Sequence, residues 1–286
     1  MARYAHVDVF ATRSLTGNGL AVVLDADGWP AERMQALTQE MRQFETIFLS
    51  EVSPYGAAAR VFTVEEELDF AGHPVLGAAA VLHHELARQE PAREWQLRLA
   101  AGTFSVRTAL RGAAVFAEMD QGVAQFGEPL TAVRCAGMLA ALGLEPGDLD
   151  PRLPLQVVST GLPYLIVPVS ADALARAAIR GDDFEARLAE LGAKFAFVLD
   201  AQAPELRTWD NLGRVEDVAT GSAAGPAGAY LVRHGLAPAG ATLRLAQGRF
   251  AGRPSELHVR VDAQARVHVS GEVWPVACGE LELAEG

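Results

Sequence analysis

Three short stretches carry residues whose types and spacing could do chemistry. The first is Ala219-Thr220-Gly221-Ser222-Ala223-Ala224-Gly225-Pro226, which follows a polar turn ending in Glu216-Asp217 and leads into the apolar segment Ala227 to Val232. Small residues let a backbone approach closely, Thr220 or Ser222 can serve as an N-cap, and Pro226 fits a helix only in its first turn. The pattern reads as a helix N-terminus with bare N–H groups, partial positive charge and no bulky side chain in front, a seat for a carboxylate or phosphate. The second stretch, Ala71-Gly72-His73-Pro74-Val75-Leu76-Gly77, runs the same way into an apolar helix. Gly72 and Gly221 hold comparable places in the two halves of the chain. This predicts two related halves whose helix ends face each other across a cleft and hold one anion. The third is Phe44-Glu45-Thr46. A carboxylate just past a helix C-terminus is disfavoured by the dipole, and burial among Phe44, Ile47 and Phe48 would raise its pKa, so that it could exchange protons near neutrality. The alternative is a surface loop glutamate.

The other candidates each have two readings. His73 at a positive helix end would be neutral and able to hydrogen-bond a ligand, or would merely cap the helix. His83 and His84 belong to the outer face or the C-terminus of the same helix. Asp217 could accept a hydrogen bond from a ligand amine or hydroxyl, or close an Asx turn. Ser222 could bind a ligand carboxylate, or cap its helix. A Ser222–His73–Asp217 triad can be written down, but Ser222 would have to be both cap and nucleophile, and no Gly-x-Ser-x-Gly elbow is present. Metal spacings such as His-Glu-x-x-His or paired Cys-x-x-Cys are absent, and so are the Walker lysine and Gly-x-Gly-x-x-Gly. Cys135 and Cys278 lie outside both glycine turns and read as packing residues.

Behind these stretches stand 286 residues, half of them hydrophobic, with a formal net charge of -12. The length suggests two domains with real cores. The charge argues against nucleic acid or an anionic membrane as main partner, while a small anionic substrate responds only to the local field. Two cysteines fit a reducing compartment, Met1 to Asp8 lacks the apolar core of a signal peptide, and no apolar run spans a bilayer. The expectation is a cytoplasmic protein.

The elements that must position these residues follow from periodicity. Strands are predicted over Tyr4 to Phe10 and Leu20 to Leu24, then a helix opened by Pro30 with Met34, Leu37, Met41 and Phe44 on one face. Strands follow at Thr46 to Leu49 and Ala59 to Thr63, with Glu65-Glu66-Glu67 as a turn. A central helix covers Pro74 to Ala87, and three strands lie near Trp95 to Leu99, Thr103 to Arg107 and Ala114 to Glu118. Gln121 to Ala132 reads as a linker. In the second half, helices are predicted at Val133 to Leu142, Ala171 to Ile179, Phe184 to Leu191 and about Ala223 to His234. Strands are predicted at Gln156 to Ser159, Tyr164 to Val169, Phe195 to Leu199 and Leu206 to Trp209, with a strand-rich tail ending in Val273 to Leu283. The fold class is α+β: two similar domains, each a curled, mostly antiparallel sheet around a central helix. The domains are placed at 1–122 and 130–272, and the last strand, about 273–286, could return to the first.

These stretches, with Asp8-Val9-Phe10, Gly17-Asn18, Gln247-Gly248 and Gly252-Arg253-Pro254-Ser255, occur in the order of a known family and span nearly the whole chain. The chain resembles the phenazine-biosynthesis PhzF-like family, which shares the diaminopimelate epimerase fold. The resemblance implies a homodimer and an isomerase with no metal or organic cofactor. It implies that Glu45 shuttles a proton from one ring carbon to another in a substrate such as trans-2,3-dihydro-3-hydroxyanthranilate. It further implies that His73 and Asp217 orient the substrate and that Ser222 helps hold its carboxylate, with Gly72 and Gly221 at the two helix ends. Gly19, Asp69 and Val218 stand where the family usually has Pro, all at turns. The related epimerase uses two cysteines as acid and base, and neither cysteine here matches those places. The function expected is a cofactor-independent isomerase of a small carboxylic acid. The alternatives are an amino- or hydroxy-acid epimerase or racemase, and a non-catalytic small-acid binding protein.

Overall fold

The computed structural model describes residues 2–283. Among these, two compact units emerge, one made of residues 2–120 and 270–283, the other of residues 121–269. The predicted C-terminal strand extends past residue 283, and that end lies outside the described residues.

The first unit begins with β1 (Ala2–Val9) and β2 (Asn18–Val23), an antiparallel pair. Helix α1 (Ala31–Met41) then carries the chain back to β3 (Glu45–Ser53), which lies parallel to β2. Parallel neighbours need such a crossover, because a tight turn can only reverse the chain. β4 (Gly56–Thr63) and the two-residue β5 (Glu67–Leu68) follow antiparallel. Helix α2 (Gly72–Leu86) crosses over to β6 (Ala92–Leu99), parallel to β4, and β7 (Gly102–Arg111) and β8 (Ala114–Val123) complete a meander.

The second unit repeats this plan. β9 (Gln125–Leu130) pairs antiparallel with β10 (Leu155–Ser159) after the short helix α3 (Ala136–Ala141), and β10 pairs with β11 (Pro163–Val169). Helices α4 (Ala171–Arg176) and α5 (Phe184–Glu190) form the crossover to β12 (Phe195–Asp200), parallel to β11. β13 (Glu205–Trp209) and the two-residue β14 (Glu216–Asp217) are antiparallel. Helix α6 (Gly221–Arg233) crosses over to β15 (Thr242–Gln247), which touches β13 in parallel and pairs antiparallel with β16 (Ser255–Val261). The last strand, β17 (Arg266–Leu281), runs antiparallel to β1 over Val273 to Leu281.

Both central helices are apolar nearly all round, and their settings explain why. α2 packs against β1, β2, β3, β4, β6 and β7 and buries every residue from Gly72 to His83. Strands on that many sides leave no face for polar residues. α6 packs against β10, β11 and β16 and buries most of its length. Gly77 and Gly228 admit the sheet: a Cβ at Gly77 would run into Leu20, and one at Gly228 into Val259. The outer layers are ordinary amphipathic packing. Met34 and Leu37 of α1 join Val23, Phe48 and Phe62, while Met138, Leu139, Leu174, Phe184 and Leu188 cover Leu165, Val167 and Val198.

Several expectations are corrected. α1 stops at Met41, where Arg42 takes a left-handed conformation (φ 52°), so Phe44 is off the helix and exposed. The expected linker at Gln121 to Ala132 is ordered strand for most of its length. Its polar, glycine-containing sequence hides two anchors: Gln156 Nε2 donates to the Gly127 carbonyl at 2.7 Å, and the Arg233 guanidinium sits 4.4 Å from the Phe126 ring. α6 begins two residues earlier than expected, which moves Pro226 into the second turn, where it has no N–H for the Ser222 carbonyl four residues back. His83 and His84 both lie in the last turn of α2, as the C-terminal reading has it, but His83 is not on the outer face: it is fully buried, with Nδ1 2.6 Å from Thr108 Oγ1 and Nε2 3.0 Å from the Glu90 carbonyl, while His84 is exposed. Cys135 packs in the core of the second unit, but Cys278 is exposed and is no packing residue.

Candidate active site

The six candidate residues fall into two groups. Glu45, Gly72 and His73 belong to the first unit, and Asp217, Gly221 and Ser222 to the second.

In the first group, Glu45 opens β3 instead of trailing a helix. Its register partners are Leu20 on one side and Thr63 on the other. Paired residues share a face. Leu20 reaches α2 at Gly77, so Glu45 points to the same side and meets the start of that helix. Glu45 Oε2 lies 3.4 Å from His73 Nε2, with the two side chains 19 % and 8 % exposed. Ile47 and Phe48 are buried as expected, whereas exposed Phe44 is no wall for the carboxylate.

His73 is the second residue of α2 and does not cap it; Ala71 holds the cap position and no side chain bonds the helix end. Pro74 has no N–H to offer, and the N–H groups of Gly72 and His73 have no hydrogen-bond partner among the described residues. Burial pushes the His73 imidazolium down to about 3, so the ring is neutral at pH 7. Desolvation is the cause. In the unfolded chain the ring takes its proton near pH 6.5. Stability is therefore full above pH 6.5 and falls as pH drops from 6.5 toward 3, by about 1.4 kcal/mol per unit. Urea midpoints taken between pH 7 and 5 are expected to drop for the native protein and to drop less for His73→Gln; equal slopes would remove His73 as the source.

In the second group, the turn before α6 is tied to itself. The Asp217 carboxylate accepts from the Ala219 N–H at 3.3 Å and from the Thr220 hydroxyl, so the Asx-turn reading is realised. With its hydroxyl given to Asp217, Thr220 occupies the N-cap position without capping. The buried amide of Gln247 clamps the same turn: Nε2 donates to the Asp217 carbonyl at 2.9 Å, and Oε1 accepts from the Thr220 N–H at 2.9 Å. Ser222 is not a cap either. It is the second residue of α6, and its hydroxyl lies 2.7 Å from Tyr164 Oη. Among the described residues the N–H groups of Gly221 and Ser222 have no partner. The Gly221 carbonyl accepts from Gln121 Nε2 at 3.1 Å, and Thr160 donates to Gln121 Oε1 at 2.9 Å. Gln121 fits there because residue 225 is glycine; a Cβ would overlap its amide oxygen.

Each group thus presents an uncapped helix end of 13 or 15 residues with two unpaired N–H groups, an arrangement suited to an anion. Sequence reading did not single out Tyr164, Gln121, Thr160 or Gln247. Only Gln247 carried a signal, through its place in the family's motif order. No group of three or more His, Cys, Asp or Glu side chains among the described residues could hold a metal ion.

Comparison with known proteins agrees with the resemblance. Residues 7–279 match the family model described as phenazine biosynthesis-like protein. A Pseudomonas chlororaphis protein named trans-2,3-dihydro-3-hydroxyanthranilate isomerase is 34 % identical, over 99 % of this chain and 100 % of that one. Among solved structures, a Pseudomonas aeruginosa protein described as a "Predicted Epimerase" is 51 % identical with a TM-score of 0.92, covering 99 % of this chain and 100 % of the other. A Bacillus anthracis PhzF-family protein is 25 % identical with a TM-score of 0.84 over the same shares. The α+β fold, of the diaminopimelate epimerase type, is as expected. The chain belongs to the phenazine biosynthesis-like (PhzC-PhzF) family, and it is an isomerase.

Proposed function

We propose that this isomerase acts on a small carboxylic acid, with Glu45 as the group that moves the proton. The observation that carries this reading is Glu45 Oε2 at 3.4 Å from a neutral, buried His73 at an uncapped helix end. A neutral imidazole can hydrogen-bond the carboxylate or the substrate without adding charge. The carboxylate takes a proton from one carbon, the electron pair shifts through the conjugated system, and the same proton returns to another carbon. Nothing is oxidised or reduced, so the step needs no redox cofactor, and a single base serves both halves. The N–H groups of Gly221 and Ser222 and the Ser222 hydroxyl hold the substrate carboxylate. Asp217, tied into its turn, orients the remaining polar groups.

The names of the relatives make trans-2,3-dihydro-3-hydroxyanthranilate the first substrate to test. NMR in deuterium oxide is expected to show its conversion, and Glu45→Gln is expected to prevent it. Conversion unchanged in the variant would remove Glu45 from its role. The 51 % identical structure described as an epimerase favours a second reading, inversion at the carbon next to a carboxylate. That reading requires a second base, and it would show as inversion with one deuterium at the stereocentre. Family kinship also supports a homodimer, for which light scattering would read twice the 30.4 kDa of one chain. No helix among the described residues is long and apolar enough to cross a membrane. A cytoplasmic location belongs to the same proposal and rests on the paucity of cysteines.

A further inference from the structure

Ser222 needs help to do what the proposed function asks of it. A serine hydroxyl rotates freely, accepts as well as donates, and has three side-chain rotamers. Left alone on a helix end it can turn its hydrogen toward a nearby carbonyl and present lone pairs to an anion. Within the second unit its hydroxyl meets Tyr164 Oη at 2.7 Å.

Tyr164 is built as a fixed point. It sits on β11, where its backbone pairs with Val158 on one side and Phe195 on the other. Its ring stacks on Phe195 with centroids 5.2 Å apart and planes 23° apart, and tilts against Phe197 at 6.0 Å. The side chain is 2 % exposed. A phenol is a stronger acid than an aliphatic alcohol and is the better donor of the two. When it donates to Ser222 Oγ, the serine hydrogen must point elsewhere. The N–H groups of Gly221 and Ser222, beside it at the same helix end, have no partner among the described residues.

We propose that Tyr164 is a positioning residue: its phenol donates to Ser222 Oγ and so turns the serine O–H outward, as a third donor beside the two N–H groups for the substrate carboxylate. This rests on the reading of that helix end as a carboxylate seat. Tyr164 itself does not touch the substrate.

The test compares 3-hydroxyanthranilate with 2-aminophenol, the same ring without the carboxylate, by calorimetric titration of the native protein, Tyr164→Phe, Ser222→Ala and the double variant. The native protein is expected to prefer the acid. Tyr164→Phe keeps the stacking and removes one hydroxyl, and is expected to weaken the acid about tenfold, the worth of one hydrogen bond to a charged group, while leaving 2-aminophenol unchanged. The double variant is expected to bind the acid no more weakly than Ser222→Ala, because the phenol acts through the serine. In turnover, KM is expected to rise about tenfold with kcat changed less than twofold, as for an interaction present equally in ground and transition states. A phenol that only fills the core would lower thermal stability and leave the acid-to-amine preference intact; that result, or additive losses in the double variant, overturns the proposal. A native protein that binds both compounds equally refutes the carboxylate seat, and the role of Tyr164 with it.

Discussion

Glu45→Gln is expected to lower kcat for the proposed substrate by about 10³-fold, within the 10²–10⁴ that general acid–base catalysis supplies. The amide keeps the size and shape of the side chain, so the contact with His73 and the strand pairing to Leu20 and Thr63 stay in place. What it loses is the capacity to accept a proton from carbon. Affinity for 3-hydroxyanthranilate is therefore expected to stay within about threefold of native, since an interaction confined to the transition state appears in kcat and not in binding. Stopped-flow absorbance gives kcat, and calorimetry gives the affinity. A variant that keeps more than about a tenth of native kcat would place the proton on another group.

Arg207→Ala is expected to give the largest loss of stability in the second unit. Arg207 is 7 % exposed. Its guanidinium grips Glu216 with two bonds, at 2.8 and 2.6 Å, and Nη1 donates to the carbonyls of Leu174, Ala175 and Ala177 at 3.0, 3.3 and 2.7 Å. Those carbonyls belong to the last turn of α4 and the residue after it, where the Leu174 carbonyl also accepts from the Ala177 N–H at 3.3 Å. The rings of Trp209 and Phe250 flank the guanidinium at 5.0 and 4.4 Å. Alanine would strip the helix end and leave the Glu216 carboxylate partly buried without its cation. Breaking a buried pair from one side costs about 3–5 kcal/mol. Urea unfolding is expected to show a loss of that size, with Arg207→Lys recovering only part of it because an ammonium cannot form the planar fork. A loss under about 1 kcal/mol would mean the pair behaves like a surface one. Glu216 immediately precedes Asp217, so the same anchor fixes the strand from which the Asp217 turn departs.

The candidate residues stood out in sequence for reasons that are local. A helix start made of glycine, alanine and serine announces bare N–H groups because nothing else is present to cover them. Glu45 drew notice beside two apolar residues that are indeed buried. Local reasoning failed where a partner came from far along the chain. Thr220 has the composition of an N-cap, yet its hydroxyl goes to Asp217 while Gln247, 27 residues away, holds its N–H. His83 sits in the last turn of a helix, where exposure is the usual outcome, but Thr108 and the Glu90 carbonyl satisfy both ring nitrogens in the interior. Residues 121–132 lacked periodicity because a strand held by a neighbouring strand and one buried glutamine needs none of its own.

By itself the sequence determined the α+β class, the two halves each with a buried central helix, and the family. These depend on hydrophobic period, on small residues where backbones must meet, and on motif order, all written along the chain. Only the tertiary structure decided that Glu45 leads a strand and meets a neutral His73, and that Ser222 answers to Tyr164 instead of capping its helix. Those outcomes depend on desolvation, on a close contact between residues 28 positions apart and on a hydrogen bond between residues 58 positions apart. Burial and partnership of that kind exist only once the strands have brought distant side chains together, because the free energy of a polar group is set by its neighbours in space.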